Sequence, residues 1–213
     1  MPDLFHEVTL HGRKIGLNPS NELIVEYSGV KRRITGVPDL GDVNGSGVAV
    51  EELSDGITNK TTFTFTDFAA ALTDEAGVVA YSGNKIYDCP AGVIQFIGAV
   101  ADLDLTLSAA GVNADWDGDF AIGTVTASNN GTLASTEQNI LPTTATPQAS
   151  GSATTANGFS TASENINVDG TSTAVDVYLN FLVDDADHDV TSTPTNIIVN
   201  GTITLFWRNL GDY

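Results

Sequence analysis

Strict alternation of large apolar and small polar residues recurs along this chain, and it restricts the fold more than any other feature. In Thr62-Phe63-Thr64-Phe65-Thr66 every second residue is aromatic. Val175, Val177, Leu179, Phe181 and Val183 share one parity, with Asp176 and Asn180 on the other. Ile203, Leu205 and Trp207 repeat the pattern opposite Thr202, Thr204 and Arg208. A period of two places one set of side chains on each face of a strand, and β-branched and aromatic residues suit such half-buried surfaces.

Further strands are expected at Glu22–Tyr27, Val78–Tyr81, Val93–Ile97, Leu103–Ser108 and Ala121–Ala127. The strands at 175–183 and 203–207 flank Asp184–Asn200 and are expected to pair as an antiparallel ribbon. Helix signals are scarce; Phe68–Leu72, with Asp67 as a cap, is the one expected turn of helix. Short strands joined by Gly, Asn, Asp and Pro turns predict an all-β fold, an antiparallel β-sandwich or jelly roll.

Domain organisation follows composition. Residues 1–50 read as an N-terminal arm or small anchoring unit, with a hairpin from Glu7–Leu10 through to Glu22–Tyr27 and a turn-rich joint from Val37 to Gly47. Such a unit is too small to hold much core, so it is expected to lean on a partner or on the body. Residues 51–213 form the sandwich body. Within it, 126–164 is rich in Ser, Thr, Ala, Gly and Asn. A long ordered loop of small polar residues is expected to pack between subunits.

Charge divides the chain within the N-terminal unit. Residues 1–33 hold Arg13, Lys14, Lys31, Arg32 and Arg33 against Asp3, Glu7, Glu22 and Glu26, a net of +1 (5 − 4). Residues 34–213 hold Lys60, Lys85 and Arg208 against 23 acids, a net of −20 (3 − 23). So acidic a body repels nucleic acid, and no nucleic-acid partner is expected. The basic segment is expected to meet an acidic surface. Cys89 is alone, which excludes an intrachain disulfide and a cysteine-built metal site. It sits in the Asp88–Gly92 turn as a small apolar filler. The first residues lack the basic and apolar regions of a signal peptide, and no apolar run approaches a membrane span, so no membrane partner is expected.

Two acidic runs invite a metal reading. Asn113-Ala114-Asp115-Trp116-Asp117-Gly118-Asp119 opens like a calcium loop, but Thr124 occupies the twelfth position and the flanks read as strands. Asp184-Asp185-Ala186-Asp187-His188-Asp189 offers carboxylates suited to calcium rather than zinc. Solvated turns capped by Asp side chains are the preferred reading of both, and no metal or cofactor is expected. The three histidines (His6, His11, His188) lack a nucleophile context, and no phosphate-binding glycine loop is present. The chain is therefore not expected to be an enzyme. Trp207 is expected in the core, and Trp116 is the one ring expected to serve as an exposed platform.

Several segments together resemble small virion proteins of tailed phages. They are Asp115–Asp119, Thr136-Glu137-Gln138-Asn139-Ile140, Ser163-Glu164-Asn165, Val177–Phe181 with Asp184–Asp189, and Trp207-Arg208-Asn209-Leu210-Gly211-Asp212-Tyr213. The resemblance spans roughly residues 75–213 and is most specific at the C-terminus; residues 1–50 do not share in it. It implies a capsid decoration or cement protein encoded near the major capsid protein, a β-sandwich or jelly roll sitting as a homotrimer on the capsid exterior. The major capsid protein would then be the partner, gripped by Arg13, Lys14, Lys31, Arg32 and Arg33. The competing expectation is a tail- or head-fibre module that binds a host glycan or receptor, with calcium held by Asp115, Asp117 and Asp119.

Overall fold

The computed structural model describes residues 7–10, 13–17, 23–27, 30–34, 42–43, 46–54, 58–74, 80–160, 166–184 and 189–211. Their strands run in order β1 (Glu7–Leu10), β2 (Arg13–Leu17), β3 (Leu23–Tyr27), β4 (Val30–Ile34), β5 (Asp42–Val43), β6 (Val48–Ser54), β7 (Asn59–Ala71) and β8 (Thr73–Asp74). There follow β9 (Ala80–Asp88), β10 (Gly92–Leu107), β11 (Gly118–Gly123), β12 (Leu141–Thr146), β13 (Ala153–Phe159), β14 (Ile166–Gly170), β15 (Asp176–Val183) and β16 (Asn196–Asn209). A single 3-10 turn, Ser135–Glu137, is the one helical element among the described residues.

Every ladder is antiparallel and the strands form three sheets. The N-terminal sheet is a meander, β1-β2-β3-β4. The front sheet runs β13-β10-β16-β7-β6, with β14 also on β10; the back sheet runs β12-β11-β15-β9-β5, with β8 also on β9. Front and back form a sandwich-like body around one core, to which the front contributes Phe63, Phe96, Leu103, Leu205 and Trp207. The back contributes Ile86, Phe120, Leu179 and Phe181 to the same cluster. Inward and outward positions alternate on β10 and β16 as the sequence pattern requires. Asp42–Val43 and Val48–Ser54 belong already to the back and front sheets.

Four local expectations are corrected. Phe68–Leu72 is not helical: Phe68, Ala70 and Leu72 are buried while Ala69 and Ala71 are exposed, the alternation of a strand. Asp67 does not cap a helix but takes a φ of 49° at a bulge, where its N–H donates to Asn200 Oδ1 (2.9 Å) and its Oδ1 accepts from Asn200 Nδ2 (3.2 Å). The segments at 93–97 and 103–108 are not two strands but parts of β10, continued through a bulge between Phe96 and Gly98. The strands at 175–183 and 203–207 do not pair: β15 lies in the back sheet and β16 in the front, each hydrogen-bonded to strands far away in sequence. Upstream, Glu7–Leu10 pairs with Arg13–Leu17 rather than with 22–27, so the expected hairpin is a four-stranded meander.

Candidate functional site

The five basic residues expected to bind a partner lie on β2 and β4, both adjacent to β3 in the N-terminal sheet. Register, not sequence proximity, determines their grouping. One face holds the positions of Val8, Leu10, Ile15, Leu17, Leu23, Val25, Tyr27, Val30 and Ile34, together with Arg13 and Arg32. The other holds Glu7, Thr9, Lys14, Gly16, Ile24, Glu26, Lys31 and Arg33. Lys14, Glu26 and Lys31 fall in a single cross-strand row. The triplet Lys31-Arg32-Arg33 is therefore divided, with Lys14, Lys31 and Arg33 on a polar face and Arg13 and Arg32 on an apolar one.

The two acidic runs meet at one end of the body. Gly118 is opposite Val183, and the Asp184 N–H donates to the Asp117 carbonyl oxygen (3.0 Å). Partial burial raises the Asp184 carboxyl above the usual carboxylate range, and the nearby Asp119 and Asp117 raise it further. The Asp189 N–H donates to the Gly111 carbonyl (2.7 Å), and its Oδ1 accepts from the Ser192 N–H three residues on (3.0 Å), so the side chain ties down its own turn. Asp185, Asp187 and His188 lie outside the described residues. Among the described residues no three His, Cys, Asp or Glu side chains are grouped to hold a metal ion. Trp116 is not the exposed platform expected of it. It is buried in the core, and its Nε1–H points to the Ser152 carbonyl at 3.4 Å. The turn that carries it is pinned to the β12–β13 connection by Ala149 N–H to Trp116 O (2.7 Å) and Ser152 N–H to Ala114 O (2.8 Å).

The small-residue stretch at 126–164 is not one long loop. It contains β12 and β13, and its first part roofs the outer face of the chain's own back sheet. Ala127 and Leu133 pack on Ala121 and Leu182, with Tyr81 beside them. Asn180, fully buried on β15, holds this roof in place. Its Nδ2 donates to the carbonyls of Glu137 (2.7 Å) and Val125 (2.9 Å), and its Oδ1 accepts from the Ala127 N–H (2.8 Å). Buried Glu137 closes the loop by accepting from Ser128 Oγ (2.6 Å) and the Ala134 N–H (2.9 Å). Gly123 is required beneath it, since a Cβ there would stand 2.3 Å from the Thr136 carbonyl oxygen.

Two groups of polar side chains carry no motif in sequence. The Lys85 ammonium donates to Asp176 (2.6 Å) and Asp88 (3.2 Å), and the bond to Asp176 raises its pKa. Tyr178 also donates to Asp176 (3.0 Å). Nearby, the Trp207 Nε1–H donates to Thr61 Oγ1 (2.7 Å), Thr61 donates to Glu52 Oε1 (3.3 Å), and the Tyr87 hydroxyl donates to the same oxygen. Burial drives Cys89 far up from its ordinary value, which keeps it a thiol rather than a nucleophile. A groove of about 500 Å³ is lined by Asp67, Phe68, Asn84 and Lys85 among others. Lys85 is ion-paired there and Asp67 is held by Asn200.

Burial is the largest influence on Glu52 and raises its pKa from 4.5, with the bonds from Tyr87 and Thr61 partly offsetting it. The folded chain thus holds this proton to higher pH than the unfolded chain does. The resulting stability is fully present below about pH 4.5 and is lost as pH rises through the folded value. Glu52→Gln should therefore gain on the wild type between pH 4.5 and neutrality. Denaturant midpoints of the two proteins at both pH values measure it, and parallel pH profiles would refute it.

No protein-family model, curated protein or solved structure matches the chain.

Proposed function

We propose that the chain is a non-enzymatic structural protein of a tailed-phage virion, a decoration or cement protein that binds the outer surface of the head shell and bridges capsomers. One observation carries the reading: the five cations of residues 1–33 lie on a small sheet of their own, and residues 34–213, which follow them, carry a net charge of −20. A body of that charge repels its like and stays solvated, while the basic sheet is drawn to acidic surface. Lys14, Lys31 and Arg33, which share the polar face, are the cations best placed to contact the major capsid protein; Arg13 and Arg32 belong to the same sheet. Self-association as a homotrimer would multiply a modest contact into firm attachment. The particle exterior, away from nucleic acid and membrane, is the location that suits the charge. The glycan-binding alternative loses its platform with Trp116 buried.

The test is occupancy on purified shells of the particle whose genome encodes the chain. The full chain should saturate them, and a chain lacking residues 1–36 should keep its sandwich and bind at least tenfold more weakly, a loss of about 1.4 kcal/mol or more. Equal occupancy by the truncated chain would remove the reading.

A further inference from the structure

Four Asn-Gly pairs occur in the sequence, at residues 44–45, 130–131, 157–158 and 200–201. In such a pair the side-chain amide carbon lies one ring closure away from the next backbone nitrogen. Glycine leaves that nitrogen unhindered and lets the backbone rotate toward the attack. Where the fold permits the approach, the reaction needs no enzyme, because proximity supplies the effective concentration. Asn44 and Gly45 lie outside the described residues.

The fold separates the other three pairs. Asn157 and Gly158 lie on β13, opposite Asp102 and Ala101 of β10, and Gly158 stands against the Phe120 and Leu141 side chains. Gly201 is paired on both sides, with Leu103 of β10 and Phe65 of β7, at a φ of 116°. The Asn200 side chain is engaged by Asp67, accepting from its N–H (2.9 Å) and donating to its Oδ1 (3.2 Å). Closing a ring at either place would require the ladder to open.

Asn130 and Gly131 lie instead in an exposed bend of the roof, outside any ladder. The Asn130 N–H reaches back to the Ser128 carbonyl (2.8 Å), while the Gly131 N–H donates to nothing among the described residues. A Cβ at Gly131 would meet no atom within 4 Å. The Asn130 Nδ2 donates to Ser128 Oγ (2.8 Å), which gives its own proton to buried Glu137 (2.6 Å).

We infer that the Asn130-Gly131 pair is a site of spontaneous covalent modification, where the side-chain amide is exchanged for a carboxylate. The Gly131 nitrogen gives up its proton and attacks Asn130 Cγ. A C–N bond forms and closes a succinimide ring, the Cγ–Nδ2 bond breaks, and Nδ2 leaves with that proton as ammonia. Water then adds to either ring carbonyl and leaves aspartate or isoaspartate, with no change of oxidation state. The product lacks the Nδ2 donor and sets a carboxylate beside Ser128 Oγ, whose proton Glu137 already takes. The roof therefore loosens between Ser128 and Ala134, while Asn180 keeps its hold at Val125, Ala127 and Glu137. None of this depends on the capsid reading.

Peptide mapping by mass spectrometry of the full chain, aged at neutral and mildly alkaline pH, tests it. Modification raises a peptide's mass by the difference between water and ammonia, and an isoaspartate-specific methyltransferase labels the isoaspartate fraction. In the folded chain residues 130–131 should react at least about tenfold faster than 157–158 and 200–201, a barrier lower by about 1.4 kcal/mol or more. The rate should rise with pH, because the attacking nitrogen must lose its proton. In urea the three pairs should react at similar rates. Gly131→Ala, which the open space and an ordinary φ admit, should slow the reaction at least about tenfold at an unchanged melting temperature. In the modified chain amides 128–134 should exchange faster than in the fresh one, with β10 and β16 unaltered. An intact 130–131 pair, a 157–158 or 200–201 pair that keeps pace with it in the folded chain, or a Gly131→Ala chain that ages like the wild type would overturn the inference. Unaltered exchange at 128–134 in fully modified protein would overturn the loosened roof.

Discussion

Trp207→Ala should destabilise the sandwich by about 3–5 kcal/mol, among the largest losses expected of any single substitution in the body. The indole is fully buried on β16, packs against Tyr87 at a centroid distance of 6.5 Å, and donates its N–H to Thr61. Tyr87 in turn meets Phe63 edge to face at 5.4 Å, so one truncation opens a cavity against aromatic neighbours from both sheets. Inflexible ring walls collapse poorly into such a space, which is why the high end of the range applies. In a domain of this size the loss corresponds to a fall in melting temperature of roughly 10 °C. Trp207→Phe keeps most of the volume but leaves Thr61 without its donor, and should cost about 1–2 kcal/mol. Denaturant unfolding of both variants measures the difference. A Trp207→Ala loss under 1 kcal/mol would contradict the packing described.

Asn180→Leu should act on the roof and not on the core. Leucine keeps the γ-branched shape and heavy-atom count of asparagine with bulkier methyl ends, and it removes three hydrogen bonds to the backbone at Val125, Ala127 and Glu137. The Glu137 carbonyl and the Ala127 N–H left behind are buried, at about 1–3 kcal/mol for each one left unpaired, while the Val125 carbonyl lies on an exposed residue. The loop can relieve part of that penalty by lifting off, so the net loss should be about 2–4 kcal/mol. It should appear locally: amides from Thr124 to Asn139 should exchange faster and the loop should become open to proteolysis, while front-sheet amides on β10 and β16 keep their protection. Uniform loss of protection across both sheets would show that Asn180 supports the whole sandwich rather than the loop.

These two residues differ in how far the sequence disclosed them. Trp207 lies in the alternating run Ile203-Leu205-Trp207, and its burial follows from that parity. Asn180 sits at a polar position of an equally regular run and was expected on the wet side of its strand. Its burial depends on a loop that arrives from residues 124–140, and nothing in the local pattern encodes that arrival. The burial of Trp116 has the same origin: an acidic turn surrounds it, yet the β12–β13 connection folds over it. At Asp67 the local preference of a short acidic side chain for capping was overridden by a bulge that keeps Phe68, Ala70 and Leu72 in phase with the core.

The sequence by itself determined that the chain is all-β, that Phe63, Phe65, Leu179, Phe181, Leu205 and Trp207 face a core, and that positive charge is concentrated before residue 34. Those properties are local, because parity along a strand and the count of charges need no knowledge of neighbours. The tertiary structure alone decided which strands pair, which sheet's outer face is roofed, and how Arg13, Lys14, Lys31, Arg32 and Arg33 divide between two faces. Such properties depend on register between strands, in the body often more than a hundred residues apart, as where Thr61 meets Leu205. A one-residue slip in register exchanges the faces of a whole strand, so only the assembled sheets could assign them.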